Sequence, residues 1–217
     1  MKVPLLDLKA QYQPIRKEIM AALESACDDQ AFILGSRVAD LEKDIQGYVG
    51  AGHAVGVASG SDALLLALMA AGVGPGDEVV TVPYTFFATA GSISRLGARP
   101  VFVDIKADTF NLDPSLLEAA MTAKTKAIMP VHLYGQCAEM EPILRTAAAR
   151  KVPVIEDAAQ AIGAAWRGRH AARSDRSAAS VFSPRRTWAG SGTAAWSSRT
   201  SRRWPTASAC CVSTGAA

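Results

Sequence analysis

The stretch Lys151-Val152-Pro153-Val154-Ile155-Glu156-Asp157-Ala158-Ala159-Gln160-Ala161-Ile162-Gly163 decides the fold. Its apolar run, residues 152–155, reads as a buried parallel strand. Two carboxylates, Glu156 and Asp157, follow at the carboxyl end, where open α/β sheets bind their ligands. Asp157 and Gln160, three residues apart, fall near one side of a turn. A carboxylate there can pair with a cationic ring nitrogen or a metal, or simply cap the next turn.

Working outward, the chain alternates. The spacing predicts helices over 14–26, from Ser36 through Val38, Leu41, Ile45 and Val49, and over 62–71, 87–96, 114–121 and 140–150. It predicts strands over 54–58, 78–82, 100–103, 126–131 and 152–155. Gly72 and Gly97 end two of the helices, and Asp113-Pro114 opens another. Strands alternating with helices of this length imply an α/β fold, a three-layer sandwich around a mostly parallel sheet.

Composition excludes several classes. The 217 residues are 49% hydrophobic and 20% charged, which places the chain among globular proteins. No apolar run is long enough for a membrane span, and the start carries no signal-peptide core. Cys27, Cys137, Cys210 and Cys211 have neither metal nor disulfide spacing, so a reduced, cytoplasmic setting is expected. His53, His132 and His170 are scattered and form no metal cluster.

The net charge of +3 hides a split. Residues 171–217 hold seven arginines and one aspartate, a balance of +6, which leaves −3 for 1–170. Ala, Ser, Thr and Arg fill 33 of those 47 positions, and no period of 2 or 3.6 persists. Such a tail offers little apolar area against its ordering entropy. Its basic charge carries no nucleic-acid-binding motif, so no nucleic acid and no membrane partner is expected.

Four strand ends carry candidate chemistry. In Ala58-Ser59-Gly60-Ser61-Asp62-Ala63-Leu64 a small-residue turn leads into a helix, whose free amides and positive end suit a phosphate. Gly60 permits close approach and Ser61 adds a donor, although an ordinary turn capped by Ser61 has the same text. In Val82-Pro83-Tyr84-Thr85-Phe86-Phe87-Ala88-Thr89 two adjacent aromatics cannot share one core, so one is available to stack on a planar ring; alternatively both pack under the following helix. Asp157 with Gln160 is the third, and Pro130-Val131-His132-Leu133-Tyr134-Gly135-Gln136 the fourth. An anion cradle, an aromatic plate and a carboxylate together suit a flat, cationic, phosphorylated ring, and pyridoxal 5'-phosphate has these properties.

The chain resembles the DegT/DnrJ/StrS sugar aminotransferases. The matching text is Val3 to Leu8, Phe32 to Gly35, Ala58 to Leu64, Gly74 to Val79, Tyr84 to Thr89, Gly97 to Ile105, Val131 to Gln136 and Glu156 to Gly163. The resemblance implies the large-domain portion of the type I aminotransferase fold, incomplete, over residues 1–170. It implies that Gly60, Ser61 and Asp62 hold the phosphate of pyridoxal 5'-phosphate, that Phe86 stacks on the ring, that Asp157 pairs with the ring nitrogen and that Gln160 reaches the ring hydroxyl. The implied reaction moves an amino group from an amino acid, usually glutamate, to a keto sugar on a nucleotide diphosphate, in amino-sugar or polysaccharide biosynthesis. A homodimer is implied as well.

The family's Schiff-base lysine is expected about 30 residues after Asp157, near Arg185 and Arg186, but the last lysine in the sequence is Lys151. Residues 171–217 are expected to be a non-family, poorly ordered tail, the gene's own text in a shifted frame: suitable codons around 181–200, moved by one base, spell a Ser-Phe-Phe-Pro-Ser-Lys segment and its continuation. The chain is accordingly expected to be truncated and inactive as written. The alternatives are a non-catalytic pyridoxal-phosphate-binding remnant and a lysine-independent sugar dehydratase relative.

Overall fold

The computed structural model describes residues 7–30, 32–33, 35–171, 179–181, 198–199 and 213–214. The chain divides into two compact units, residues 1–41 and 42–217.

In the first unit, helix α1 spans Leu8–Asp29. Sequence reading starts this helix at Pro14. It starts earlier because Asp7 caps it, its carboxylate accepting from the Ala10 amide at 3.0 Å, and Pro14 lies inside. Arg37 donates to Asp29 Oδ2 at 2.6 Å and to Ser25 Oγ at 2.7 Å. Helix α2 spans Ser36–Val49, the span the sequence predicts.

The second unit holds the sheet. Its elements are α3 (Gly60–Ala70), β1 (Glu78–Thr81), α4 (Phe87–Arg95), β2 (Arg99–Phe102), a 3₁₀ turn leading into α5 (Leu117–Ala120), β3 (Thr125–Ile128), α6 (Met140–Arg150) and β4 (Ile155–Asp157). A hairpin of β5 (Ala165–Trp166) and β6 (Arg169–His170) follows, then β7 (Ala179–Val181). Strand β1 is central in a parallel β2-β1-β3 ladder, with Val80 opposite both Val101 and Ile128. Two parallel bridges, Ile128 to Val154 and Val131 to Asp157, join β3 to β4, and β7 extends the sheet parallel to β4.

Alternation along β1 explains the three layers. Val79 packs with Leu64, Leu68 and Ile93 of α3 and α4, while Val80 packs with Leu117, Ile143 and Ala147 of α5 and α6. The expected sandwich around a parallel sheet is therefore present.

Three local expectations need correction. Residues 54–58 form no strand: only Val57 bridges, and the Gly56 amide donates to Glu42 Oε1 at 2.7 Å instead of entering a ladder. The last predicted strand is displaced toward the carboxyl end, so Glu156 and Asp157 lie within β4 rather than after it. The predicted 114–121 helix is a 3₁₀ turn and one α-turn, opened by Asp113, whose carboxylate accepts from the Ser115 amide and hydroxyl. Within the tail expected to be poorly ordered, residues 179–181 form β7. The other tail residues assigned to that expectation, apart from 171, 198–199 and 213–214, lie outside the described residues.

Glu78 ties the sheet's amino edge together. It is 4% exposed, accepts from Thr122 Oγ1 at 2.6 Å and pairs with Arg99. The Thr122 hydroxyl, then Arg99, hold its carboxyl below the ordinary value of 4.5. A depressed folded-state pKa stabilises the fold above the unfolded value, and the contribution is lost as pH falls through the folded one. Glu78→Gln should therefore lower Tm at pH 7, and the gap from the wild type should close as pH falls below about 4.5. Thermal melts across that range check this; a gap independent of pH would contradict it.

Candidate functional site

Helix α3 begins at a turn that the sequence caps from within. Ser59 Oγ accepts from the Asp62 amide at 3.1 Å, and the same hydroxyl donates to Asp62 Oδ2 at 2.8 Å. Amides of a helix's first turn have no intrahelical acceptor. Those of Gly60 and Ser61 belong to residues that line an open cleft of about 290 Å³. Ser59, and not Ser61, is thus the cap.

The cleft lies at the carboxyl ends of the strands, as the fold predicts. Phe86, Thr85 and Ala88 come from the β1–α4 junction, Val131, His132 and Leu133 follow β3, and Asp157, Ala159 and Gln160 come from β4 and the turn after it. Of the two adjacent aromatics, Phe86 lines the cleft and is 54% exposed. Phe87 does not line it and is 82% exposed, so the alternative in which both pack under the helix fails.

Asp157 is 5% exposed and tied to its neighbours through both its backbone and its carboxylate. Its backbone bridges β3, donating to Pro130 O at 2.9 Å and accepting from the His132 amide at 3.0 Å. Its Oδ2 accepts from the buried Thr89 hydroxyl at 2.8 Å, and its Oδ1 from the Ala159 amide at 3.3 Å. Thr89 Oγ1 also meets Thr85 Oγ1 at 2.8 Å. Gln160 Oε1 accepts from the Tyr134 amide at 2.9 Å. An N–H can only donate, so this bond fixes the amide orientation and leaves the Gln160 NH₂ as the group's donor.

Beside Asp157 in β4, Glu156 is buried against His132, its Oε2 lying 2.9 Å from Nε2. The Ala138 amide donates to His132 Nδ1 at 3.1 Å, so the ring proton sits on Nε2 and points at Glu156. Burial, and then the Glu156 charge, push the nearby Cys137 thiol up to about 11, which removes it as a nucleophile.

Gly60, Ser61, Phe86, Asp157 and Gln160 are therefore brought to one cleft. Asp62 is not among its lining residues, because its amide and carboxylate serve the Ser59 cap. Arg185 and Arg186 lie outside the described residues. Sequence reasoning missed Ser59, Thr85 and Thr89. The four-residue spacing of the threonines, which places both on one side of a starting helix, was the available signal. Among the described residues no group of His, Cys, Asp and Glu could hold a metal ion, and no helix is long and apolar enough to cross a membrane.

The sequence profile of the DegT/DnrJ/EryC1/StrS aminotransferases matches residues 13–193. The chain belongs to that family. Its similarity to a pleiotropic regulatory protein of Geobacillus stearothermophilus is 58% identity over 78% of this chain and 45% of the relative. With a UDP-2-acetamido-2-deoxy-3-oxo-D-glucuronate aminotransferase of Pseudomonas aeruginosa the figures are 46%, 84% and 51%. The chain thus spans about half the length of these curated relatives. Its fold superposes on S. venezuelae DesV, solved in complex with a ketimine intermediate, with a TM-score of 0.86 at 35% identity, over 98% of this chain and 62% of that one. The family is a pyridoxal-phosphate-dependent one, with the type I aminotransferase fold.

The cap geometry predicts a graded response at Ser59 in this DegT-family chain. Ser59→Ala should cost about 1 kcal/mol of stability and Ser59→Gly only a few tenths. Denaturant midpoints check this; equal losses in the two variants would contradict the capping role.

Proposed function

We propose that this chain carries the cofactor seat of a nucleotide-sugar aminotransferase. One observation supports the reading above the rest: the first turn of α3, the end of β1 and the end of β4 bring groups suited to different parts of pyridoxal 5'-phosphate into a single cleft. In this reading the first-turn amides of Gly60 and Ser61 hold the phosphate. Phe86 covers one face of the ring, Asp157 faces the ring nitrogen, and the Gln160 NH₂ donates to the ring hydroxyl. Asp62 acts through Ser59, holding the turn that presents those amides. When bound, the cofactor supplies an electron sink for the amino-transfer chemistry.

The substrates in this reading are an amino-acid donor, glutamate foremost, and a keto sugar on a nucleotide diphosphate. The Pseudomonas relative's name, a UDP-linked 3-oxo sugar aminotransferase, supports that class. The setting is amino-sugar or polysaccharide biosynthesis in the cytoplasm, with the working form a homodimer.

The sequence supplies no lysine after Lys151, and no lysine lines the described cleft. Arg185 and Arg186, near the expected position, stay protonated at neutral pH and cannot form the Schiff base or act as its base. The reading is therefore binding without turnover for the chain as written. The cause in this reading is a shifted frame beyond about residue 170. Independent nucleotide reads across the codons for 165–175 test it: a single-base correction should restore a lysine near 185, and an unaltered frame in the gene and its near relatives would overturn it.

Binding has its own test. Pyridoxamine 5'-phosphate needs no lysine partner, so equilibrium dialysis with it reads the seat alone. Saturable binding is expected, weakened roughly tenfold or more by Asp157→Asn, in keeping with the loss of one charged hydrogen bond. Phe86→Ala should also weaken it. An absence of saturable binding by the wild type would overturn the reading.

A further inference from the structure

Thr89 has a single hydroxyl proton, and Asp157 Oδ2, 2.8 Å away, can only accept it. The 2.8 Å contact between Thr89 Oγ1 and Thr85 Oγ1 therefore has one possible direction: Thr85 donates to Thr89. The two bonds form an oriented chain from Thr85 through Thr89 to Asp157. Its outer end is a cleft-lining residue and its inner end a carboxylate that is 5% exposed. Phe86 sits between the two threonines at the cap of α4, and the Thr89 amide donates to Phe86 O at 3.1 Å. One turn of backbone thus sets both the aromatic plate and the hydroxyl chain.

We propose that Thr89, polarised by Thr85, is a positioning residue for the cofactor's ring nitrogen, acting through Asp157. The inference rests on the pyridoxal-phosphate reading of the cleft. Two consequences follow from the geometry. The Thr89 bond fixes the carboxylate's rotation, since Oδ2 is tied to α4 while Oδ1 is tied to the turn after β4. It also withdraws negative charge from the carboxylate, and successive hydrogen bonds reinforce one another in that direction. A carboxylate that donates some charge to a hydroxyl competes less well for a shared proton. The proton between Asp157 and the ring nitrogen therefore stays on nitrogen, where the electron-sink chemistry needs it.

The test uses the full chain and ¹⁵N-labelled pyridoxamine 5'-phosphate, with the ring nitrogen read by NMR and affinity by dialysis. In the wild type and Thr89→Ser the signal should lie at the protonated, pyridinium end. In Thr89→Val, which keeps the shape and removes the hydroxyl, it should move toward the neutral-pyridine end, with affinity lower by roughly tenfold. Thr85→Val should displace the signal in the same direction by less. A folded Thr89→Val protein with wild-type signal and affinity overturns the inference and leaves the binding reading intact. Should Thr89→Val fail to fold, Thr85→Val decides: an unmoved signal overturns the inference. Failure of the wild type to bind removes the binding reading and this inference with it.

Discussion

Two backbone hydrogen bonds hold the site's geometry in place. Asp157 donates to Pro130 O and accepts from the His132 amide, closing a parallel bridge beyond the last regular pairing of β3. Apart from that bridge, among the described residues the β2-β1-β3 and β4-β7 ladders meet through the Ile128–Val154 bridge, deep in the sheet. With the Asp157 bridge, the carboxyl ends of β3 and β4 are kept in register where the cleft opens. Proline has no amide to offer, so residue 130 contributes to this junction only as an acceptor.

The same bridge places three unlike groups side by side. His132, one residue past it, turns its imidazole toward Glu156, and both side chains are fully buried. Asp157 turns the other way in the strand's alternation and meets Thr89 of α4. Two adjacent carboxylates of one strand are thereby separated into a structural partner of a histidine and a member of the cleft. A buried carboxylate is costly to desolvate, and removing its hydrogen-bond donor would leave that cost uncompensated. This accounts for the density of hydrogen bonds around it, including the Ala138 amide on His132.

Much of this was legible in the residues. Period and length gave α6 to the residue, since Met140, Ile143 and Ala147 are apolar at helical spacing and buried together. The strand-end carboxylate, the small-residue turn at Gly60 and the aromatic pair were visible as text, and the cleft gathers them. The remaining features depend on partners distant in sequence. Gly56 leaves its strand because Glu42 takes its amide. Ser59 displaces Ser61 as the cap because its hydroxyl both accepts from and donates to Asp62. Phe86 faces the cleft and Phe87 does not because of where α4 begins, a boundary that periodicity places only within a few residues. Thr89 and Asp157 lie 68 positions apart, so no local pattern could have joined them.

Gln160 shows how one main-chain bond decides what a site accepts. Tyr134 holds a left-handed backbone, φ 53°, and its amide donates to Gln160 Oε1. Such a conformation in a non-glycine residue costs on the order of 1 kcal/mol or more, and the surrounding turn sustains it. The result is a fixed polarity. The Gln160 NH₂ is thereby the donor it offers to a neighbouring acceptor. The strained tyrosine, itself outside the cleft's lining, thus sets the orientation of a side chain that lines the cleft with Asp157.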